Sequence, residues 1–340
     1  MIDDFPIPSR KEYTMFTLQK QPDSDFRILN LSDPQLSDQE WAPEHKNQAI
    51  LRHTMRTLIE TEKPDLITVT GDIAWAGQMA AYKAFADEID AYGIPWAPVW
   101  GNHDNQGGAE TIDSVANMYL TYPHCIYEKG DPTIGNGNYV IAIKVGDKIV
   151  EGIIMIDSHD RDPYPKEDGT MDKVWAKLTK PQLAWYSEQI ESLKKLGCQN
   201  TSIFLHIPIY AYRDAWDAAH NTNFAPESIT PTDSTDPKYW NDGYKTSSGV
   251  RYEGIASYPE DEGAFDAILA GGTTKLVVAG HDHVNNTIIR YRGVDLVYSL
   301  KTGAGCYWNP VLNGGTVIRI TKDGVADVRH SFVNVEEFLK

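Results

Sequence analysis

The amino-acid sequence predicts an α/β fold, a layered β-sandwich of mixed sheets flanked by helices. Two observations support this prediction. The N-terminal half alternates short apolar runs with helical patterns in the order β-α-β-α-β, and the C-terminal part contains mostly strand-like runs. Neither a repeat nor a linker divides the chain, so we expect a single domain over residues 26–335. A loose polar arm over residues 1–25 should precede it.

The first elements follow from the spacing of apolar residues. Residues 26–31, 65–70 and 95–100 are short apolar runs that predict strands. Residues 43–61 and 78–92 carry apolar side chains at helical spacing. This alternation is typical of β-α-β units.

The remaining elements include a hairpin, a capped helix and two loops. Gly146-Asp147 separates two strand-like runs and indicates a hairpin over residues 138–156. Thr179 and Gln182 form a T-x-x-Q capping box that opens a helix. Residues 160–178 read as a polar loop. Residues 209–258 read as a long loop insertion, and a loop of this length is usually functional.

Charge and cysteine content restrict the partners and the compartment. The formal net charge is -17 at pH 7, which disfavours nucleic-acid and anionic membrane partners. The three cysteines are odd in number and form no C-x-x-C pair, so we expect a reducing compartment. No apolar leader follows Met1, and we expect a cytoplasmic protein.

Polar groups follow five predicted strands, where ligand sites form in open α/β sheets. The groups are Asp33/Gln35, Asp72, Asn102/His103/Asp104, His206 and His281/His283. Each has an ordinary alternative, such as a helix cap, a left-handed turn or a core histidine. The coincidence of all five favours a metal site. Oxygen and imidazole ligands without cysteine suit Mn, Fe or Zn.

In this order the five segments resemble the calcineurin-like metallophosphoesterase superfamily. Its pattern is D-x-H, G-D, G-N-H-D/E, H and G-H-x-H, and the match covers about residues 26–308. Gly254-Ile255 and the run Gly280–Asn285 are more narrowly similar to the single-domain branch related to purple acid phosphatases. The resemblance implies the calcineurin-like phosphoesterase fold.

The resemblance also implies two divalent or trivalent metal ions and a ligand set for each. Site 1 would comprise Asp33, Gln35, Asp72 and His283. Site 2 would comprise Asp72, Asn102, His206 and His281, with Asp72 bridging. His103 would stabilise the transition state or protonate the leaving oxygen, and Asp104 would orient it.

Two residues depart from the family pattern. Gln35 replaces a histidine, and its carbonyl is a weaker donor, so we expect looser binding at site 1. Trp75 stands where purple acid phosphatases carry a tyrosine ligand. An indole cannot ligate in that way, so we expect no tyrosinate colour.

The resemblance implies a phosphoester hydrolase, and we favour a phosphomonoesterase working by in-line attack of hydroxide on phosphorus. The substrate would be a phosphorylated small molecule or a phosphoprotein. Two alternatives remain: a phosphodiesterase for cyclic nucleotides or glycerophosphodiesters, and a non-catalytic metal-binding module. His159, Arg213 and Arg251 are candidate substrate contacts.

Overall fold

Two β-sheets pack face to face in the computed structural model, which describes residues 15–340. The seven-stranded sheet has the order β1-β5-β6-β9-β10-β12-β11. Its strands are β1 (Phe16–Gln19), β5 (Tyr139–Val145), β6 (Lys148–Met155), β9 (Thr201–Phe204), β10 (Thr274–Ala279), β11 (Ile288–Tyr291) and β12 (Val294–Tyr298). Parallel and antiparallel pairs both occur, so the sheet is mixed.

The five-stranded sheet has the order β14-β13-β2-β3-β4. Its strands are β2 (Phe26–Leu31), β3 (Leu66–Thr70), β4 (Trp96–Val99), β13 (Gly314–Thr321) and β14 (Gly324–Phe332). The pairs β2–β3 and β3–β4 are parallel, whereas β13 pairs antiparallel with β2. Strands β7 (Arg161–Pro165) and β8 (Met171–Trp175) form a separate hairpin.

Helices cover the outer faces of both sheets. The helices are α1 (Lys46–Glu62), α2 (Met79–Asp90), α3 (Asn102–Asn105), α4 (Ala109–Tyr119), α5 (Lys180–Lys195), α6 (Ala211–Ala219) and α7 (Ala264–Gly271). The apolar faces of α1, α2 and α4 join one core with the five-stranded sheet, and those of α5, α6 and α7 join a second core. The capping box predicted at Thr179 and Gln182 is present. None of the helices within residues 15–340 is both long and apolar enough to cross a membrane.

Strand β10 shows why the sheets stack in this way. Leu276 and Val278 face the core between the sheets, whereas Val277 and Ala279 face the core under α5–α7. Successive strand side chains point to opposite faces, so an unbroken apolar run can be buried on both. The predicted layered sandwich of mixed sheets flanked by helices is confirmed.

Three expectations about irregular segments need correction. Residues 16–19 of the expected arm form β1, which pairs parallel with β5; residues 1–14 of that arm lie outside the described part of the chain. The expected polar loop 160–178 contains the β7–β8 hairpin. The expected loop 209–258 contains α6, whose face with Ala215 and Trp216 is buried.

The carboxyl ends of β2, β3, β4, β9 and β10 meet at one edge of the sandwich. Backbone hydrogen bonds tie the connecting loops together there. The Asp33 amide donates to Gly71 O at 3.2 Å, and the Gly280 amide donates to His206 O at 3.0 Å. This edge therefore brings the five predicted ligand segments into one place.

Candidate metal centre

The loops at this edge hold several predicted ligands in left-handed backbone conformations. Asp33, Gln35, Asp72 and His281 have φ values of 50°, 43°, 47° and 76°. Such conformations cost non-glycine residues energy and cluster at functional sites. Gly101 permits the close approach of two of these loops, because a Cβ there would lie within 3.0 Å of Asp72 Oδ1.

Site 2 brings together three ionisable side chains and an amide. The ligand atoms of Asp72, His206 and His281 all lie within 4.8 Å of one another. His206 Nε2 lies 3.3 Å from Asp72 Oδ2, 3.1 Å from Asn102 Oδ1 and 3.2 Å from His281 Nδ1. All four side chains are buried.

Site 1 shares Asp72 with site 2. The ligand atoms of Asp33, Asp72 and His283 also lie within 4.8 Å of one another. His283 Nε2 lies 3.2 Å from Asp33 Oδ1. The two histidines of the G-H-D-H stretch thus belong to different groups. Asp282 between them points away and accepts a hydrogen bond from the Tyr298 hydroxyl at 2.5 Å.

Backbone carbonyls fix the tautomers of two of these histidines. Thr70 O lies 2.8 Å from His206 Nδ1, and Tyr307 O lies 2.8 Å from His283 Nδ1. A carbonyl oxygen only accepts, so each Nδ1 carries the proton. In the neutral ring each Nε2 therefore directs its lone pair into the centre, which is how protein metal ligands are usually oriented.

The charges and donor atoms of the centre suit a bound cation. Burial alone would lower the pKa of His206, but the carboxylates of Asp72 and Asp33 outweigh it and raise that pKa to about 9. Burial alone would raise the pKa of Asp33, but His206 and His283 oppose this effect and hold that pKa well below the usual range. His281 Nε2 is buried without a hydrogen-bond partner in the described structure. Divalent ions fit this set of donor atoms.

Gln35 has a neighbour that the sequence motifs do not reveal. The buried Lys301 Nζ donates to Gln35 Oε1 at 3.1 Å and to Asp33 O at 3.0 Å. Burial lowers the pKa of Lys301, and the Asp33 and Asp72 carboxylates oppose that shift. Gln35 Nε2 is buried without a hydrogen-bond partner. The amino group of Lys301 thus lies beside site 1.

His103 lies at the rim of the centre, with 23% of its side chain exposed. Its Nε2 is 4.0 Å from Asp72 Oδ2, and its Nδ1 is 3.0 Å from Gln106 Oε1. The Trp75 ring packs against the imidazole with ring centroids 4.2 Å apart. Trp75, at the position of the family tyrosine, therefore supports His103.

The contacts of Asp104 differ from the expected orientation of His103. Its carboxylate accepts from the amides of Ile73 at 3.1 Å, Ala74 at 3.3 Å and Gly101 at 2.7 Å, and from the Tyr82 hydroxyl at 2.8 Å. Burial raises the pKa of Asp104 to about 7. Asp104 therefore clamps the loops that carry Asp72 and Asn102, and Gln106 contacts the imidazole.

The three predicted substrate contacts have other partners. His159 Nε2 lies 2.9 Å from Gln182 Oε1. Arg213 donates to the Ser257 hydroxyl at 2.7 Å. The Arg251 guanidinium lies 4.9 Å from the centroid of the Trp216 ring. These contacts give Arg213 and Arg251 structural roles and lend no support to phosphate binding by either.

A cleft of about 650 Å³ lies beside α3, with Asn105 in its wall. We call it the side cleft; its walls come from the start of α4, loop 129–136 and residues 157–161, including His159. Asp160 in its wall has one buried oxygen without a hydrogen-bond partner in the described structure. The Arg161 guanidinium lies 3.6 Å over the Trp175 ring, which in turn contacts His281. The β7–β8 hairpin therefore links the cleft to site 2.

Known proteins resemble this chain in sequence and in fold. The model of the calcineurin-like phosphoesterase family matches residues 26–285. An Arabidopsis thaliana protein named "Probable inactive purple acid phosphatase 29" is 27% identical over 89% of this chain and 77% of its own length. "Phosphatase DCR2" of Saccharomyces cerevisiae is 24% identical over 89% of this chain and 52% of its own length.

A solved structure supports the fold. The dimetal phosphatase from Danio rerio aligns with a TM-score of 0.55 at 13% identity, covering 90% of this chain and 98% of its own. The matched range contains all five ligand segments. The chain therefore belongs to the calcineurin-like phosphoesterase family.

Proposed function

We propose that this protein is a metal-dependent phosphoesterase that acts on phosphomonoesters. One observation supports this proposal above the others: buried ligand atoms suited to metal ions converge at sites 1 and 2, beside the part-exposed His103. We further propose Mn, Fe or Zn as the ions, because the donors are carboxylate, amide and imidazole groups.

When bound, such ions supply positive charge for the phosphoryl oxygens and lower the pKa of water. The residues of the chain supply the rest of the chemistry. His103 Nε2 faces the centre and would give a proton to the leaving oxygen. Gln106 would hold the opposite ring nitrogen, and Trp75 would restrict the ring's rotation.

The side cleft supports an organic leaving group of small-molecule size. We therefore favour a phosphorylated small molecule over a phosphoprotein. The net charge of -17 disfavours nucleic acid and anionic membranes as partners. The three free cysteines are consistent with a cytoplasmic location.

Hydrolysis of p-nitrophenyl phosphate and of bis(p-nitrophenyl) phosphate, each with Mn, Fe, Zn and Mg, tests the proposal. We expect turnover of the monoester to exceed that of the diester. Faster diester turnover would instead identify a phosphodiesterase. Absence of turnover for both esters, with bound metal shown by elemental analysis, would refute the enzyme assignment.

A non-catalytic metal-binding module is the second candidate. Two observations favour it: the relative named "Probable inactive purple acid phosphatase 29", and Gln35 in place of a histidine ligand. His103 and the complete site 2 argue against it, because a module that only binds metal does not need His103. The same hydrolysis assay separates the two candidates.

A further inference from the structure

We infer that Lys301 supplies one of the positive charges of the centre, so that the protein holds one metal ion tightly at site 2 and a second ion only weakly at site 1. The inference deepens the proposed function, since it rests on the same ligand sets. It concerns metal stoichiometry and not turnover.

The position of Lys301 is unusual for a lysine. Its side chain is almost fully buried, at 3% exposure, although lysine is rarely buried without a charged partner. Its Nζ contacts two oxygens of the site 1 loop, Asp33 O at 3.0 Å and Gln35 Oε1 at 3.1 Å. A fixed cation therefore lies against the loop that would ligate the site 1 ion.

Lys301 also determines which atom Gln35 can offer. An ammonium has only donors, so the amide oxygen of Gln35 must face it. The amide NH2 group has no lone pair for a metal, and it is buried without a hydrogen-bond partner in the described structure. Site 1 therefore keeps Asp33, the shared Asp72 and His283, plus at best a carbonyl oxygen already bound to Lys301.

Charge balance also favours weak binding of a second ion at site 1. One divalent ion, the Lys301 ammonium and the carboxylates of Asp33 and Asp72 leave a formal charge of about +1. A second divalent ion raises it to about +3, in a buried environment where uncompensated charge is costly. With a histidine in place of Gln35 and no charged lysine, the same two ions and two carboxylates would leave about +2.

At site 2, no described contact of a lysine corresponds to that of Lys301 with Gln35 at site 1. The described contacts of His206 and Asn102 include no lysine or arginine side chain, and the four ligands of site 2 lie together at their buried loops. The Trp175 ring lies 4.2 Å from the ring of His281 and helps to exclude water from it. Site 2 should therefore hold the tight ion.

Metal stoichiometry tests the inference. The chain is stripped with a chelator and titrated with Mn²⁺, and bound metal is measured calorimetrically and by elemental analysis. We expect one tight ion in the wild type and a second ion at least tenfold weaker. Lys301→Met should strengthen the second ion about tenfold or more, and Lys301→Met with Gln35→His should give two tight ions.

Matched variants separate charge from packing. Lys20 is also buried, at 5% exposure, but its Nζ donates to Gln21 O, away from the ligand segments, so Lys20→Met should leave Mn²⁺ binding unchanged. Lys301→Gln removes the charge but keeps a hydrogen-bond donor, and it replaces Lys301→Met in the Mn²⁺ titration if that variant fails to fold. His281→Ala should abolish the tight ion.

Two equally tight ions in the wild type would overturn the inference, as would unchanged affinity in both Lys301 variants. Neither result affects the proposed function, which depends on turnover. Conversely, a protein with one tight ion and no hydrolysis would refute the proposed function and leave the inference standing.

Discussion

The hydrogen bond between Gln106 and His103 gives the sharpest test of how the rim of the centre works. Gln106 Oε1 lies 3.0 Å from His103 Nδ1, whereas Asp104 has no ring contact and binds backbone amides. Gln106→Ala removes the orienting bond and leaves the imidazole and both metal sites in place. His103→Ala removes the proton donor itself.

The structure sets the expected sizes of the two effects. A part-exposed hydrogen bond contributes about 0.5–1.5 kcal/mol, so Gln106→Ala should lower kcat about 2- to 13-fold. The remaining Trp75 contact limits the loss. Removal of a general acid costs roughly 10²- to 10⁴-fold, so His103→Ala should be far more severe.

Steady-state hydrolysis of p-nitrophenyl phosphate, with Mn²⁺ content measured for each variant, provides the assay. The exposed Gln39 lies before α1, and Gln39→Ala is the matched control that should behave as wild type. A Gln106→Ala protein with wild-type kcat would contradict the proposed orienting bond. A His103→Ala protein within tenfold of wild type would contradict proton donation by that imidazole.

Three further outcomes follow from other contacts. Asp104→Ala removes the acceptor of four buried donors. Urea unfolding at pH 6, below the raised pKa of Asp104, should show that the free energy of unfolding falls by about 3 kcal/mol or more. A decrease of less than about 1 kcal/mol would contradict the role of Asp104 in holding the loops together. Burial raises the pKa of Glu151 from 4.5 to about 7, so stability is greatest below about pH 4.5 and falls as the pH rises through 7. Glu151→Gln should flatten this part of the pH profile of unfolding free energy by up to about 3 kcal/mol. An unchanged profile would contradict the raised pKa of Glu151. The iron-loaded protein should show no strong visible tyrosinate band, because Trp75 replaces the tyrosine; such a band in its absorption spectrum would refute that reasoning.

The ligand segments could be predicted because each is short and follows its own strand. Asp33, Asp72 and His206 are marked by the apolar runs before them, so local sequence places each at the carboxyl end of a strand. Their convergence across the chain follows from the strand order, which the ordered set of motifs implies. The capping box at Thr179 could be predicted for the same local reason.

Long-range contacts could not be predicted in this way. Lys301 meets Gln35 across 266 residues, and no motif marks a lysine whose partner is an amide. Strand β1 forms only because β5, more than a hundred residues later, offers it an edge. The role first given to Asp104 was wrong because G-N-H-D does not show where a carboxylate points; its four donors come from three separate segments.

Phosphate release from p-nitrophenyl phosphate by the metal-loaded wild type and its Asp72→Asn variant tests the central claim most directly. Asp72 is the one carboxylate shared by both candidate sites, and asparagine preserves its shape while removing its charge. We predict metal-dependent turnover in the wild type and a loss of most of that turnover in Asp72→Asn. Equal turnover in the two proteins, or turnover that persists after metal removal, would contradict the claim that this centre hydrolyses phosphoesters.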